Sequence, residues 1–389
     1  MSTCTNHGSP SLHVTAGRWE AFRVPWTRHF STQVASSFPR TWIRCGNLES
    51  RLFADLLEPV SIRQPIYIAG LARSGSTVLL ETVASHPGVA SHRYRDFPFV
   101  FTPYWWNRFL DRSPRKQGVP KPRVHADGLV VSSESPEALE EPLWMAFFPQ
   151  AHDSHSSQVL STETSHRDFE AFYRNHVRKV LVIRSGDRYA CKGNYHISRL
   201  EYLLTLFPDA RFIIPIRQPR DHVASLMKQH CLFTEGETRH PRSLLQMRAC
   251  GHFEFGLDRR AIHFGDSEAV SAVERLWNGG EEVRGWARYW SHVYGFLAQR
   301  LAANEALRRA TVVVRFEDLC GQPRETVRWV ADHCQLAGNE ELRRTLAARL
   351  HAPTYYRPQF SAAEAAAIEE ETVDVASQFG YRAAAKRAA

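Results

Sequence analysis

The sequence predicts an α/β protein in three layers, with a central parallel sheet flanked by helices, and three observations predict it. Short apolar runs at Ile66 to Ala69, Val180 to Ile183, Arg211 to Ile216 and Thr311 to Val314 read as strands. Helical spacing lies between or after several of them, which is the alternation of a parallel α/β sheet. The first run also passes through a glycine-bounded turn straight into a helical stretch, "IYIAGLARSGSTVLLETVASHP".

In chain order, residues 1–60 scatter Trp19, Trp26 and Trp42 among polar and turn-forming residues and read as an arm packed on a main body of residues 61–389. The proline-rich, basic stretch from Ser113 to Arg123 lacks periodicity and reads as a surface loop. "SPEALEEPLW" spaces Glu137, Glu140 and Glu141 as the solvated start of a helix. "HDSH" holds His152, Asp153 and His155 but no further ligand at a metal-binding spacing, so no metal is expected. Leu200 to Phe207 is helical, and so is Glu281 to Ala303, where Trp286, Tyr289, Trp290, Val293 and Phe296 form a core stripe.

A chain of 389 residues with 43% hydrophobic and 11% aromatic content can bury a large core. The 49 basic against 41 acidic residues, net +8, suit an anionic ligand, an acidic glycan, nucleic acid or a membrane surface. No helix-turn-helix, RNA-binding sheet motif or basic stripe is present, so nucleic acid is not an expected partner. Seven dispersed cysteines without a C-x-x-C pair fit reduced thiols and a cytoplasmic location. No apolar run reaches the roughly 18 residues of a membrane span, which leaves only peripheral membrane contact open.

Gly70 to Thr77 follows G-x-x-x-x-G-S-T, the spacing of a phosphate loop with Ser76 where a nucleotide-hydrolysing enzyme carries lysine. Such a loop wraps backbone N–H groups around an anion and adds the positive end of the next helix. Arg73 puts a cation inside it. The missing lysine argues against the alternative of a P-loop nucleotide kinase. In "FPDARFIIPIRQPRDHVASLMKQH", Arg217 ends a strand and Ser225 follows in the second turn of a helix, a guanidinium and a hydroxyl suited to clamp one phosphate.

Together "GLARSGST", "FPDARF", Arg217 with Ser225, and "VVVRFEDLCGQP" resemble, in this order, the sulfotransferases that use 3′-phosphoadenosine 5′-phosphosulfate (PAPS), with the bacterial and carbohydrate-acting branches the nearer match. The resemblance runs from about Pro65 to His333 and implies a P-loop-like fold. It implies that Arg73, Ser74, Gly75, Ser76 and Thr77 hold the 5′-phosphosulfate and that Arg217 and Ser225 hold the 3′-phosphate. Phe316 falls near the adenine, to stack there or to serve as core. Lys192 falls at a catalytic lysine, to neutralise the bridging oxygen with Arg73, or is a surface lysine at a strand end. The sulfuryl group would pass to a hydroxyl or amine of an acceptor such as a glycan or lipid, with no metal required.

The departures fall on the base. Cytosolic relatives place a histidine where this chain has Asn194, with His196 two residues on. Other relatives use a glutamate in a region that here reads "HPGVASHRYRDFPF" and holds His92 and Asp96 instead. Asp96 is the first candidate base, His92 and His196 the next, each with a structural role as the alternative. Tyr104, Trp105 and Trp106 cannot all point inward from one helix, so at least one is expected to face the acceptor or to pack under a lid.

Overall fold

The computed structural model describes residues 17–112, 120–338 and 359–381. Its strands are β1 (Ile66–Ile68), β2 (Val89–Ala90), β3 (Lys121–Pro122), β4 (Val130–Val131), β5 (Arg188–Lys192), β6 (Arg211–Ile216) and β7 (Thr311–Arg315). Five form one parallel sheet in the order β2-β5-β1-β6-β7, while β3 and β4 pair as a separate antiparallel hairpin. The chain first builds on the β5 side of β1 and then crosses to β6, so the winding reverses beside β1. In such sheets the crevice at the C-terminal strand ends is where ligands bind.

Period-two alternation divides the core. Ile66 and Ile68 of β1 join Ile213, Val312 and Val314 on one face, against Leu79, Leu80, Val83, Val327 and Val330 of the helices Ser76–Ala84 and Pro323–His333. Tyr67, Phe212, Ile214 and Ile216 face the other way, against Tyr173, Leu203, Val223 and Tyr294. Each fully buried aliphatic side chain contributes roughly 1.5–3 kcal/mol. The helix Glu282–Ala303 buries Trp286, Tyr289, Trp290 and Val293 as its stripe predicts.

Two sequence expectations change. Val180 to Ile183 is not a strand but the last turn of the helix Arg167–Arg184, which buries Phe169, Phe172, Tyr173, His176, Val177, Val180 and Leu181 at helical spacing. A short apolar run has no periodicity of its own, and the longer pattern decides it. The strand lies just beyond, at "RYACK", after Ser185 turns the chain with φ 53°. The loop read from Ser113 to Arg123 is not all surface either: residues 113–119 lie outside the described residues, but Lys121–Pro122 enters the hairpin and Arg123 is buried.

Residues 17–60 form helices that lie along the body. Phe22 is buried edge-on against Phe233, and the buried Glu49 and Lys179 pair at 2.9 Å. Among the described residues no helix is long and apolar enough to cross a membrane.

Candidate active site

Four neighbouring strands deliver one residue set to the same edge of the sheet. The loop Gly70–Thr77 leaves β1, Lys192 ends β5, Arg217 follows β6, and Phe316 follows β7. The loop's path needs glycine: Gly70 has φ 147° and Gly75 φ 101°, and a Cβ on Gly75 would come within 2.8 Å of the Phe316 ring. Arg73 also sits at positive φ, 71°.

Neutral contacts hold this shape from beneath. Ser74 donates to the Leu71 carbonyl at 2.7 Å, and His222 Nε2 bonds the Ala72 carbonyl at 2.9 Å. Trp290 Nε1 donates to His222 Nδ1 at 3.2 Å, which fixes the proton on Nε2. Burial pushes the His222 pKa down to about 3, so the ring stays neutral. The helix Ser76–Ala84 begins at Gly75 with no side-chain cap, leaving its first N–H groups to an anion.

Above the loop the contacts are ionic. Thr77 Oγ1 accepts from Lys192 Nζ at 3.0 Å and from Arg123 of the hairpin at 3.3 Å. Asp127, at the hairpin turn, pairs with Arg73 at 2.7 Å and Arg123 at 3.1 Å. Glu137 lies 3.7 Å from Lys192 and accepts from the Ala138 N–H at 2.7 Å. Burial acts to raise the pKa of Asp127 and Glu137, but Arg123 with Arg73 outweighs it for the first, and Lys192 with Arg123 for the second, so both are held below the usual carboxylate range. Burial prevails at Glu81, one turn after Thr77, whose pKa is raised despite Arg123. These groups line a cavity of about 1230 Å³ that also takes in Arg217, Phe316, Trp106 and Asn194.

The family model described as "Sulfotransferase family" matches residues 65–340. The chain belongs to that family. No curated protein sequence matches it. Among solved structures, sulfotransferase STF1 from Mycobacterium tuberculosis is similar at 14% identity, covering 94% of this chain and 92% of its own, with a TM-score of 0.46. STF9 from Mycobacterium avium shares 14% identity over 87% and 83% of the two chains, with a TM-score of 0.48. The sulfotransferase domain from the curacin biosynthetic pathway shares 14% over 83% and 99%, with a TM-score of 0.38. The protein is thus a transferase of the sulfotransferase family.

Of the residues that the sequence of this sulfotransferase singles out, Arg73, Gly75, Ser76, Thr77, Lys192, Arg217 and Phe316 meet at the cavity. Ser74 lies buried beneath the loop, and Ser225 accepts from Arg73 Nε at 3.4 Å. Lys192 is no surface lysine: it is 9% exposed and aimed at Thr77. Phe316 is no simple core residue: Gly75 lies against its ring, and the Arg217 guanidinium sits 4.8 Å from its centroid.

Asp96 and His92 do not line the cavity. Asp96 is fully buried and accepts from Arg184 at 2.6 Å, Asn107 at 2.9 Å and the Arg93 N–H at 2.9 Å, while His92 bridges it to His176 at 3.1 and 2.9 Å. Burial acts to raise its pKa, but His92 and Arg184 outweigh it and hold the carboxyl well below its ordinary value. A carboxylate saturated in this way has no free lone pair for an acceptor's proton. His196 stands at the cavity wall but is fully buried, 3.3 Å from Glu140 and 3.6 Å from Cys191. Asn194 donates to Glu254 at 2.6 Å.

Of the three acids expected to be solvated, Glu137 stands at the cavity and Glu140 and Glu141 are buried. Glu140 accepts from Tyr173 at 2.7 Å, from Tyr189 and from Trp144, and Glu141 takes both Arg199 nitrogens at 2.7 and 2.9 Å and His152 at 2.8 Å. Among the described residues, the one trio with metal-ligand spacing is Glu140, Cys191 and His196, whose carboxylate is already filled by these donors. Of the three aromatics, Trp106 lines the cavity and Tyr104 packs on Phe53 at 4.4 Å between centroids. Sequence reasoning missed Arg123, Asp127, Glu81 and the cavity position of Glu137. Only Glu137 carried a signal, its place in an acidic run.

Proposed function

We propose that this sulfotransferase takes its sulfuryl group from PAPS and passes it to an acceptor hydroxyl, with Glu137 as the base. The observation that carries the reading is Lys192 reaching Thr77 from the adjacent strand, which puts an ammonium at the loop although Ser76 is not lysine. The residues fit the donor's chemistry: uncapped helix N–H groups, Arg73 and Thr77 for the 5′ end, and Arg217 with the Phe316 ring for the 3′ phosphate and base.

When bound, the donor supplies the sulfur that the acceptor oxygen attacks. Lys192 and Arg73 stabilise the charge left on the phosphate oxygen as its bond to sulfur breaks. Glu137, ionised at neutral pH, takes the proton from the acceptor as the new oxygen–sulfur bond forms. Its backbone bond from Ala138 fixes one oxygen, and the cavity continues past it to Tyr94 and Trp106, where an acceptor has room.

Calorimetry with 3′-phosphoadenosine 5′-phosphate (PAP), ATP with magnesium, and adenosine 5′-phosphosulfate tests the donor. PAP should bind the most tightly of the three. Equal or tighter binding of ATP with magnesium would return the site to the kinase-like class. A mass-spectrometric screen with PAPS over glycan, lipid and phenolic acceptors then reads transfer directly, as a gain of one sulfuryl group.

A further inference from the structure

We infer that the hairpin Lys121–Val131 is part of the donor site, with Arg123 as a further cation on the 5′-phosphosulfate and Asp127 as a built-in anion that the donor must replace; this rests on the donor proposed above. Arg123 is 8% exposed, yet it is not held by the core. Among the described residues its guanidinium bonds Thr77 and pairs with Asp127, and its Nε, although buried, has no hydrogen-bond partner there. A buried donor left without an acceptor is costly, so such a group marks a place where an acceptor belongs. The acceptor would lie beside Thr77, where Lys192 also arrives and where the uncapped helix begins.

Asp127 stands at that place. Its carboxylate bridges Arg73 and Arg123 as an oxyanion bridges a pair of guanidinium groups. Around Thr77 the cations Arg73, Arg123 and Lys192 are balanced by Glu81, Asp127 and Glu137, so a multiply charged ligand cannot enter without displacing or neutralising an acid. Asp127 is the acid placed to leave. It stands between Ala126 at φ 47° and Gly128 at φ 83°, in a turn closed by only two pairs of strand residues, whereas Glu81 is carried on a regular helix and Glu137 is pinned by the Ala138 N–H. Once Asp127 turns out, Arg73 and Arg123 are released together, and the hairpin closes on the ligand with Arg123 facing it.

The test is calorimetry of PAP and, separately, of inorganic pyrophosphate on Asp127→Asn, Arg123→Gln and the double variant. Asp127→Asn should bind both probes about tenfold more tightly, because the competing carboxylate is gone. Arg123→Gln should weaken both by a similar factor, and in its background the gain from Asp127→Asn should shrink. A tighter ligand cannot come from a damaged fold, so the gain separates exchange from mere support. Unchanged or weaker binding of both probes by Asp127→Asn would overturn the inference. Pyrophosphate tightening without any binding of PAP would uphold the anion exchange and remove the donor assignment instead.

Discussion

The floor of the cavity, from Gly70 to Thr77 with Arg217, is shaped by backbone and neutral groups, while the roof, from Lys121 to Glu141, is held over it by ions. Beneath the loop a serine hydroxyl, a neutral histidine and a tryptophan N–H meet carbonyls and ring nitrogen. Above it, Arg73, Arg123 and Lys192 face Asp127, Glu81 and Glu137. Neutral hydrogen bonds in a dry interior keep one geometry, whereas an ion pair at a cavity wall can be taken over by another anion that offers the same guanidinium groups an equivalent partner. On the proposed reading, the difference separates a fixed template for the donor from a cover that responds to it.

A third cluster, at Asp96, shows what a fixed ionic group looks like, and it should yield the largest effect. Asp96→Ala leaves Arg184 buried without its carboxylate and should destabilise the fold by about 3–5 kcal/mol, read by denaturant unfolding. Asp96 is held below its unfolded pKa by His92 and Arg184, so the stability it contributes is present above about pH 4 and is lost as the pH falls further. The gap between wild type and variant should therefore close in acid. A stable variant that has lost turnover would instead restore Asp96 as the base.

Next in size is the roof's own chemistry. Glu137→Gln should lower kcat by roughly 10² or more with PAP affinity held or increased, since the amide keeps the shape but cannot accept a proton. Near-normal kcat in this variant, beside a dead Glu81→Gln, would move the base one helix away. On the floor, Arg217→Ala should cost PAP about 1.5–3 kcal/mol of binding and adenosine 5′-phosphosulfate little, because only the first carries a 3′ phosphate. Equal losses by calorimetry would erase the division of the floor into two phosphate sites.

The smallest effect should distinguish floor from roof by pH. A bound anion raises the pKa of Asp127 and Glu137 in the roof, and of Glu81 on the helix that follows the loop, above their values beside free Arg73, Arg123 and Lys192, so the complex holds more protons than its parts. The affinity for inorganic sulfate, whose own charge does not change over this range, should then rise as pH falls from 7.5 to 5.5 by less than about tenfold per unit, with proton uptake visible as a dependence of binding heat on the buffer. The floor adds nothing across this range, as His222 stays neutral with a pKa of about 3. Proton release on binding would contradict the roof's acid count.

The same division governs what the sequence discloses. The floor is written contiguously, since one turn and its helix carry the glycines, Arg73 and Thr77, and "FIIPIRQP" runs directly from β6 into Arg217. Three of the sheet's strands are bounded by turns and stand out for that reason, whereas "RYACK" hides its strand between polar ends and Val180–Ile183 mimics one inside a long buried helix. The roof is not legible in order. Arg123 meets Thr77 across 46 residues and Asp127 meets Arg73 across 54, contacts that no local spacing encodes. Asp96 has the residue type and approximate position of a base, and only its partners Arg184 and Asn107, brought from other helices, reveal it as an anchor.

The aromatic ring of Phe316 lies between Gly75 on one strand's loop and the Arg217 guanidinium on the next. A ring has a fixed thickness and does not compress, so it works as a spacer gauge between the two ends of the floor. For the donor proposed above, the distance at which its two phosphates would be gripped is then a property of the protein and not of the ligand. Nucleotides whose charges fall at another separation, such as a 5′-triphosphate with nothing on the 3′ oxygen, can satisfy one end of the gauge only by missing the other.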